Sequence, residues 1–176
     1  MNITKNVWLG VVLAGSVAMS VSAAAGGYVG GSVGVTDFDT DDDGTSFEIK
    51  GGYVINENFA IQASYIDFGE IDDNDAPVWR LKSDAIELAA IGRHAFNDQL
   101  SLIGLLGMSA WDVSVTEDGF GSLGGTDGTD LVYGVGLSFT SSESISIDLL
   151  YKGYDISIEG VDLDVSNISL GLSYRF

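Results

Sequence analysis

The stretch Asn167-Ile168-Ser169-Leu170-Gly171-Leu172-Ser173-Tyr174-Arg175-Phe176 decides the fold. Ile168, Leu170, Leu172, Tyr174 and Phe176 form one apolar set, while Asn167, Ser169, Ser173 and Arg175 occupy the alternate positions. A repeat of two is the period of a β-strand, whose successive side chains leave opposite faces. One face of this strand meets an apolar medium, and the other meets a polar one.

Working backwards from that strand, the same alternation recurs. Ile145, Ile147, Leu149 and Tyr151 oppose Asp148 and Lys152, and Leu131, Val135, Leu137 and Phe139 oppose Ser138. Leu100 to Ala110 by twos opposes Ser101 to Trp111 by twos, and Ile86, Leu88, Ala90 and Gly92 oppose Glu87, Ala89, Ile91 and Arg93. Phe59, Ile61, Ala63 and Tyr65 oppose Ala60, Gln62 and Ser64; Phe47, Ile49, Gly51 and Tyr53 oppose Glu48, Lys50 and Gly52. Val29, Gly31, Val33 and Val35 complete the series against Gly30, Ser32, Gly34 and Thr36.

The connections alternate in length. Ile55 to Asn58, Ala95 to Asp98 and Thr140 to Glu143 are short, whereas Asp37 to Gly44, Gly69 to Leu81, Val113 to Thr129 and Asp155 to Asp164 are long. Strands joined by short turns at one end and long connections at the other follow the grammar of bacterial outer-membrane barrels. The expected fold is therefore all-β, an eight-stranded antiparallel up-and-down transmembrane β-barrel. Closure is required in a membrane, because an open sheet edge leaves backbone groups unpaired in hydrocarbon. The aromatic residues agree with belts at both interfaces: Tyr53, Phe59, Phe139, Tyr174 and Phe176 at the short-turn end, and Tyr65, Tyr133 and Tyr151 at the other. Trp111 lies near the second belt, but its parity points inward.

Residues 1–25 read differently. Lys5, the apolar run Val7 to Val21 and the small residues Ser22 to Ala25 have the order of a secretory signal, with cleavage after Ala23 or Ala25 both compatible. The run falls short of the roughly 20 residues that span a bilayer as a helix. The expected organisation is a cleaved signal peptide at 1–25 and a barrel domain at 26–176, ending on its last strand. The sequence has no cysteine, so it offers neither a disulfide nor a thiolate metal site, nor a residue to accept a lipid. Loss of Lys5 with the signal leaves 6 basic against 26 acidic residues, and this charge argues against nucleic acid as a partner.

The motifs Tyr28-Val29-Gly30-Gly31-Ser32-Val33-Gly34, Asn58-Phe59, Tyr133-Gly134-Val135-Gly136 and the terminal Ser169 to Phe176 resemble the small bacterial outer-membrane barrel family, which includes the transmembrane domain of outer membrane protein A and its shorter, domain-free relatives. The likeness extends over about residues 26–176. It implies residence in the bacterial outer membrane, contact with outer-membrane lipid and lipopolysaccharide, and recognition of Tyr174 and Phe176 by the barrel assembly machinery. The cell-wall anchoring of the larger relatives is not carried over, because no cell-wall-binding domain follows the barrel in this sequence.

Four basic residues, Lys50, Arg93, Lys152 and Arg175, share the inward parity with Glu48, Glu87 and Asp148. An eight-stranded interior is only wide enough to be filled by side chains, and charges inside it must be paired. Glu48, Lys50, Glu87, Arg93, Asp148 and Lys152 are therefore expected to form a lumen charge network that plugs the barrel. A narrow porin-like channel for small solutes or ions is the alternative. A soluble, lipocalin-type barrel would need the opposite arrangement, with apolar residues inside.

Asp39-Thr40-Asp41-Asp42-Asp43-Gly44 matches the first half of a calcium loop, so Asp39, Asp41 and Asp43 are a weak candidate for divalent cations. The match fails at its twelfth position, which is Lys50. Twenty of the 26 acidic residues lie in or beside the long connections, where they keep a surface hydrated, hold divalent cations or steer a basic partner. His94 is the sole histidine and lacks the His-x-Ser-Asn pattern of the lipid A deacylases. Neither an enzyme nor a cofactor is expected, and the anticipated role is structural or surface interaction.

Overall fold

The computed structural model describes residues 26–37, 43–73, 79–117, 121–158 and 161–176, with backbone alone at 43, 70–73, 79–82, 113–117, 121–125, 156–158 and 161–164. Eight strands follow one another: β1 Gly27–Asp37, β2 Asp43–Asn56, β3 Phe59–Asp73, β4 Trp79–Ala95, β5 Leu100–Glu117, β6 Gly121–Ser142, β7 Ile145–Ile158 and β8 Val161–Arg175. Each pairs antiparallel with its neighbour in sequence, and β1 pairs with β8 to close the ring. This is the eight-stranded up-and-down barrel that the alternation and the connection lengths predict.

The periodicity fixes which side faces out. Ile86, Leu88, Leu106, Met108, Leu170 and Leu172 are exposed, as are Val33, Phe59 and Val135, whereas Glu48, Glu87, Asp148 and Lys152 are buried. Leu88 is 66% exposed, while Lys152 is fully enclosed. That distribution is inverted relative to a soluble domain. It suits a lipid-facing exterior, and it contradicts the lipocalin-type alternative.

The short turns are tied by side chains. Asn56 Oδ1 accepts hydrogen bonds from the backbone N–H groups of Asn58 (2.9 Å) and Phe59 (3.0 Å). Asn97 Oδ1 does the same for Gln99 (2.9 Å) and Leu100 (2.8 Å). Asparagine bonded to the backbone two residues ahead mimics a turn and fixes a tight reversal.

At the opposite end the strands run further than their hydrophobic pattern suggests. Val113 to Thr129, read from sequence as one long connection, is mostly ladder: Val113 pairs with Thr126 and Glu117 with Gly121. Asp72 likewise pairs with Arg80, and Asp155 with Asp164. The period of two continues here but changes phase: Val113 and Val115, Ile156 and Ile158, and Val161 and Leu163 share the parity of the inward residues. The outward apolar set that marks the membrane span therefore stops before the ladder does.

Candidate functional site: the barrel lumen

Every inward position comes from the alternate residues of the eight strands, so the lumen is built in levels along the barrel axis. The middle level is a buried ionic cluster. Lys152 Nζ on β7 donates to Glu48 Oε1 on β2 (2.9 Å) and to Glu87 Oε2 on β4 (2.8 Å), joining three strands across the interior. Two carboxylates on one ammonium leave negative charge to be stabilised, and hydroxyls complete the shell. Tyr154 donates to Glu87 Oε1 (2.7 Å), Ser64 to Glu87 Oε2 (3.0 Å) and Ser32 to Glu48 Oε2 (2.8 Å). Charges removed from water are tolerated only when paired and hydrogen-bonded in this manner.

A second pair lies nearer the short turns. Lys50 Nζ donates to Asp148 Oδ2 (3.1 Å), whose oxygens also accept from Ser138 (2.7 Å) and Ser173 (3.1 Å). Arg93, expected in the same network, stands apart: its polar contact is Ser138 Oγ at 3.4 Å, and it makes no ion pair among the described residues. It reaches Asp148 only through Ser138, whose hydroxyl donates to Asp148 Oδ1 (2.7 Å).

Towards the long connections the lumen is part polar and part apolar: Asn167 donates to Thr36 Oγ1 (2.9 Å) and Ser46 Oγ (2.6 Å), beside a group of apolar side chains. Ile66, Phe68, Ala85, Trp111, Val132, Tyr154 and Val165 belong to one buried cluster, in which the rings of Phe68 and Tyr154 meet edge to face at 5.2 Å. Trp111 Nε1 donates to Asp130 Oδ2 (2.6 Å), and the ring lies where any Cβ on Gly128 would collide with it. Gly69 closes this level from the backbone side. Its φ of +94° belongs to the left-handed region, and a Cβ there would meet the Thr45 carbonyl oxygen at 2.6 Å. The register shift between Asp67 and Glu70 surrounds it.

Towards the short turns the lumen opens. A cavity of about 690 Å³ is lined by residues that include Tyr28, Lys50, Gln62, Arg93, Asp148 and Arg175. The lumen is thus an open vestibule at one end, an ionic cluster in the middle and, at the other end, an apolar layer beside the buried Asn167, Thr36 and Ser46.

Sequence parity puts Ser32, Ser64, Ser138, Ser173 and Trp111 on the inward side but does not reach Ile66, Phe68 or Tyr154. Extending β3 by two more alternations past Ser64 gives Ile66 and Phe68, and extending β7 from Lys152 gives Tyr154. Those residues stand beyond the positions where the outward apolar pattern is strong, and that pattern alone ends the strands too early. The other sequence-based candidates fall elsewhere. Tyr174 is exposed on β8, with its ring edge to face on Phe176 at 5.4 Å. Asp39 and Asp41 lie outside the described residues, as do residues 1–25, and Asp43 is placed only as the first residue of β2. His94 is exposed at the short-turn end against the ring of Phe96 (5.7 Å), with no hydrogen-bond partner for its imidazole among the described residues.

Comparison with solved structures finds the same architecture. Neisserial surface protein A aligns with a TM-score of 0.73 at 19% identity, covering 86% of this chain and 98% of that one. Ail, the attachment invasion locus protein of Yersinia pestis, in complex with the heparin analogue sucrose octasulfate, aligns with a TM-score of 0.60 at 23% identity, covering 85% of this chain and 96% of that one. The outer membrane enzyme PagL aligns with a TM-score of 0.54 at 15% identity, covering 85% and 99% respectively. No curated protein matches the chain significantly in sequence. A family profile described as "Outer membrane protein beta-barrel domain" matches residues 9–176. With that match over nearly the whole chain and a closed ring whose apolar side chains face outward, the chain belongs to the outer membrane protein β-barrel domain family.

Proposed function

We propose that this chain is exported by residues 1–25 and serves in the outer membrane as a closed scaffold that displays an acidic face to cationic partners. The observation that carries the reading is the enclosed Lys152, held between Glu48 and Glu87 with the apolar layer beside it. Lys152 and both of its carboxylates are buried, and the Phe68 and Tyr154 rings meet beside them. A barrel so filled works through its exterior and its ends.

The face at the long connections is acidic. Asp112, Asp127 and Asp155 are exposed there, and most of the remaining acidic residues belong to the same hairpins in sequence. Such a surface repels polyanions, so the ligand class named for the Ail complex does not suit it. Divalent cations, bridging these carboxylates to lipopolysaccharide phosphates, and basic protein segments do suit it. On the same reading, Tyr174 and Phe176 are the features of β8 recognised by the barrel assembly machinery, and His94 is an interface residue without a catalytic role.

Planar bilayers containing the purified barrel test the closed lumen, and no conductance above the lipid baseline is expected. Reproducible stepwise currents would overturn it in favour of a narrow channel. That second reading draws on the vestibule, which leaves only the ionic and apolar levels to part. The surface role is tested with a lysine-rich peptide and barrel-containing vesicles: binding should weaken steeply as salt is raised. Binding that is absent, or indifferent to salt, removes the proposed partner class.

A further inference from the structure

The vestibule holds two arginines that make no direct ion pair among the described residues, and Arg93 reaches the Asp148 carboxylate only through the Ser138 hydroxyl. Lys50 and Lys152 both have carboxylates within bonding distance. Arg93 and Arg175 line the same cavity and make no ion pair among the described residues. Scarcity of acids does not explain this, since the sequence has 26. Three of them, Glu57, Asp98 and Glu143, line the cavity at its turns without pairing to either arginine. In a ring of eight staves β4 and β8 stand opposite each other, so the two arginines approach the cavity from opposite walls.

Each guanidinium presents five N–H donors in a planar fork, which matches the oxygens of a phosphate group. The single polar contact of Arg93 through Ser138, at 3.4 Å, is longer than a good N–H···O bond and leaves its fork largely unused. In outer-membrane barrels the short turns face the periplasm, so the vestibule opens to that compartment.

We propose that Arg93 and Arg175 form a clamp for a phosphate group that enters the lumen from the periplasmic side. At about 690 Å³ the cavity has room for more than one phosphate unit. The group is supplied by a soluble phosphate compound or by the headgroup of an anionic phospholipid. This site is independent of the acidic outer face and of whether the lumen conducts.

The test uses the refolded full-length barrel in maltoside micelles, which contain no phosphate, with pyrophosphate and short-chain phosphatidylglycerol titrated separately by calorimetry. Saturable binding of at least one probe is expected, and the probe that binds identifies the source. Arg93→Gln and Arg175→Gln should each weaken it about tenfold, the scale of losing hydrogen bonds to a charged group. Should Arg93→Gln fail to fold, Arg175→Gln, at an exposed side chain, carries the test alone. No saturable binding of either probe, or binding that Arg175→Gln leaves unchanged, overturns the proposal.

Discussion

Lys152 holds two carboxylates at 2.9 and 2.8 Å in a place without water access, so its removal strands both. Lys152→Met is expected to lower the unfolding free energy in urea by about 3–5 kcal/mol, the usual cost of breaking a buried pair from one side. Adding Glu48→Leu and Glu87→Leu should restore most of that loss, because replacing a whole buried cluster by apolar groups is close to neutral. A triple variant as unstable as the single one would show that packing, rather than stranded charge, sets the cost. At this scale the sequence was only partly legible. The inward parity of Glu48, Glu87 and Lys152 was visible in the period of two. Which carboxylate takes which cation was not, because partners come from strands 65 to 104 residues apart and shear sets their levels. Arg93 shows the limit: correct parity did not give it a partner.

The outer surfaces of the strands were the most readable part of the molecule, since lipid on one side and a polar lumen on the other impose a strict alternation. Leu88, at 66% exposure on β4, sits in the middle of that apolar surface. Leu88→Lys should cost about 2–4 kcal/mol in reversible unfolding from lipid vesicles, the range for a cation at the bilayer midplane. Ala89→Ser, one residue along and facing the lumen, should cost much less, and equal penalties would contradict the assigned faces. The ends of the strands were less readable. There the apolar members of the period pass to the inward parity, as in Val113 and Val115 or Val161 and Leu163, so the outward pattern stops before the ladder does.

For the molecule as a whole, closure predicts resistance to detergent. Unboiled protein should migrate differently from boiled protein on a dodecyl sulfate gel, because the ring of paired backbone groups offers no edge at which unfolding can start. Identical mobility would argue against a closed barrel. Closure also sets the order of events in time. The ladder from Tyr28–Arg175 to Asp37–Ser166 joins positions more than a hundred residues apart, so the final seam has the largest loop-closure entropy of any pairing in the chain. A chain that has assembled β1 to β7 still carries two raw edges, and hydrocarbon penalises both. The ring is complete only when β8 meets β1, and a pairing so distant in sequence is of the kind that slows folding relative to contacts between neighbours.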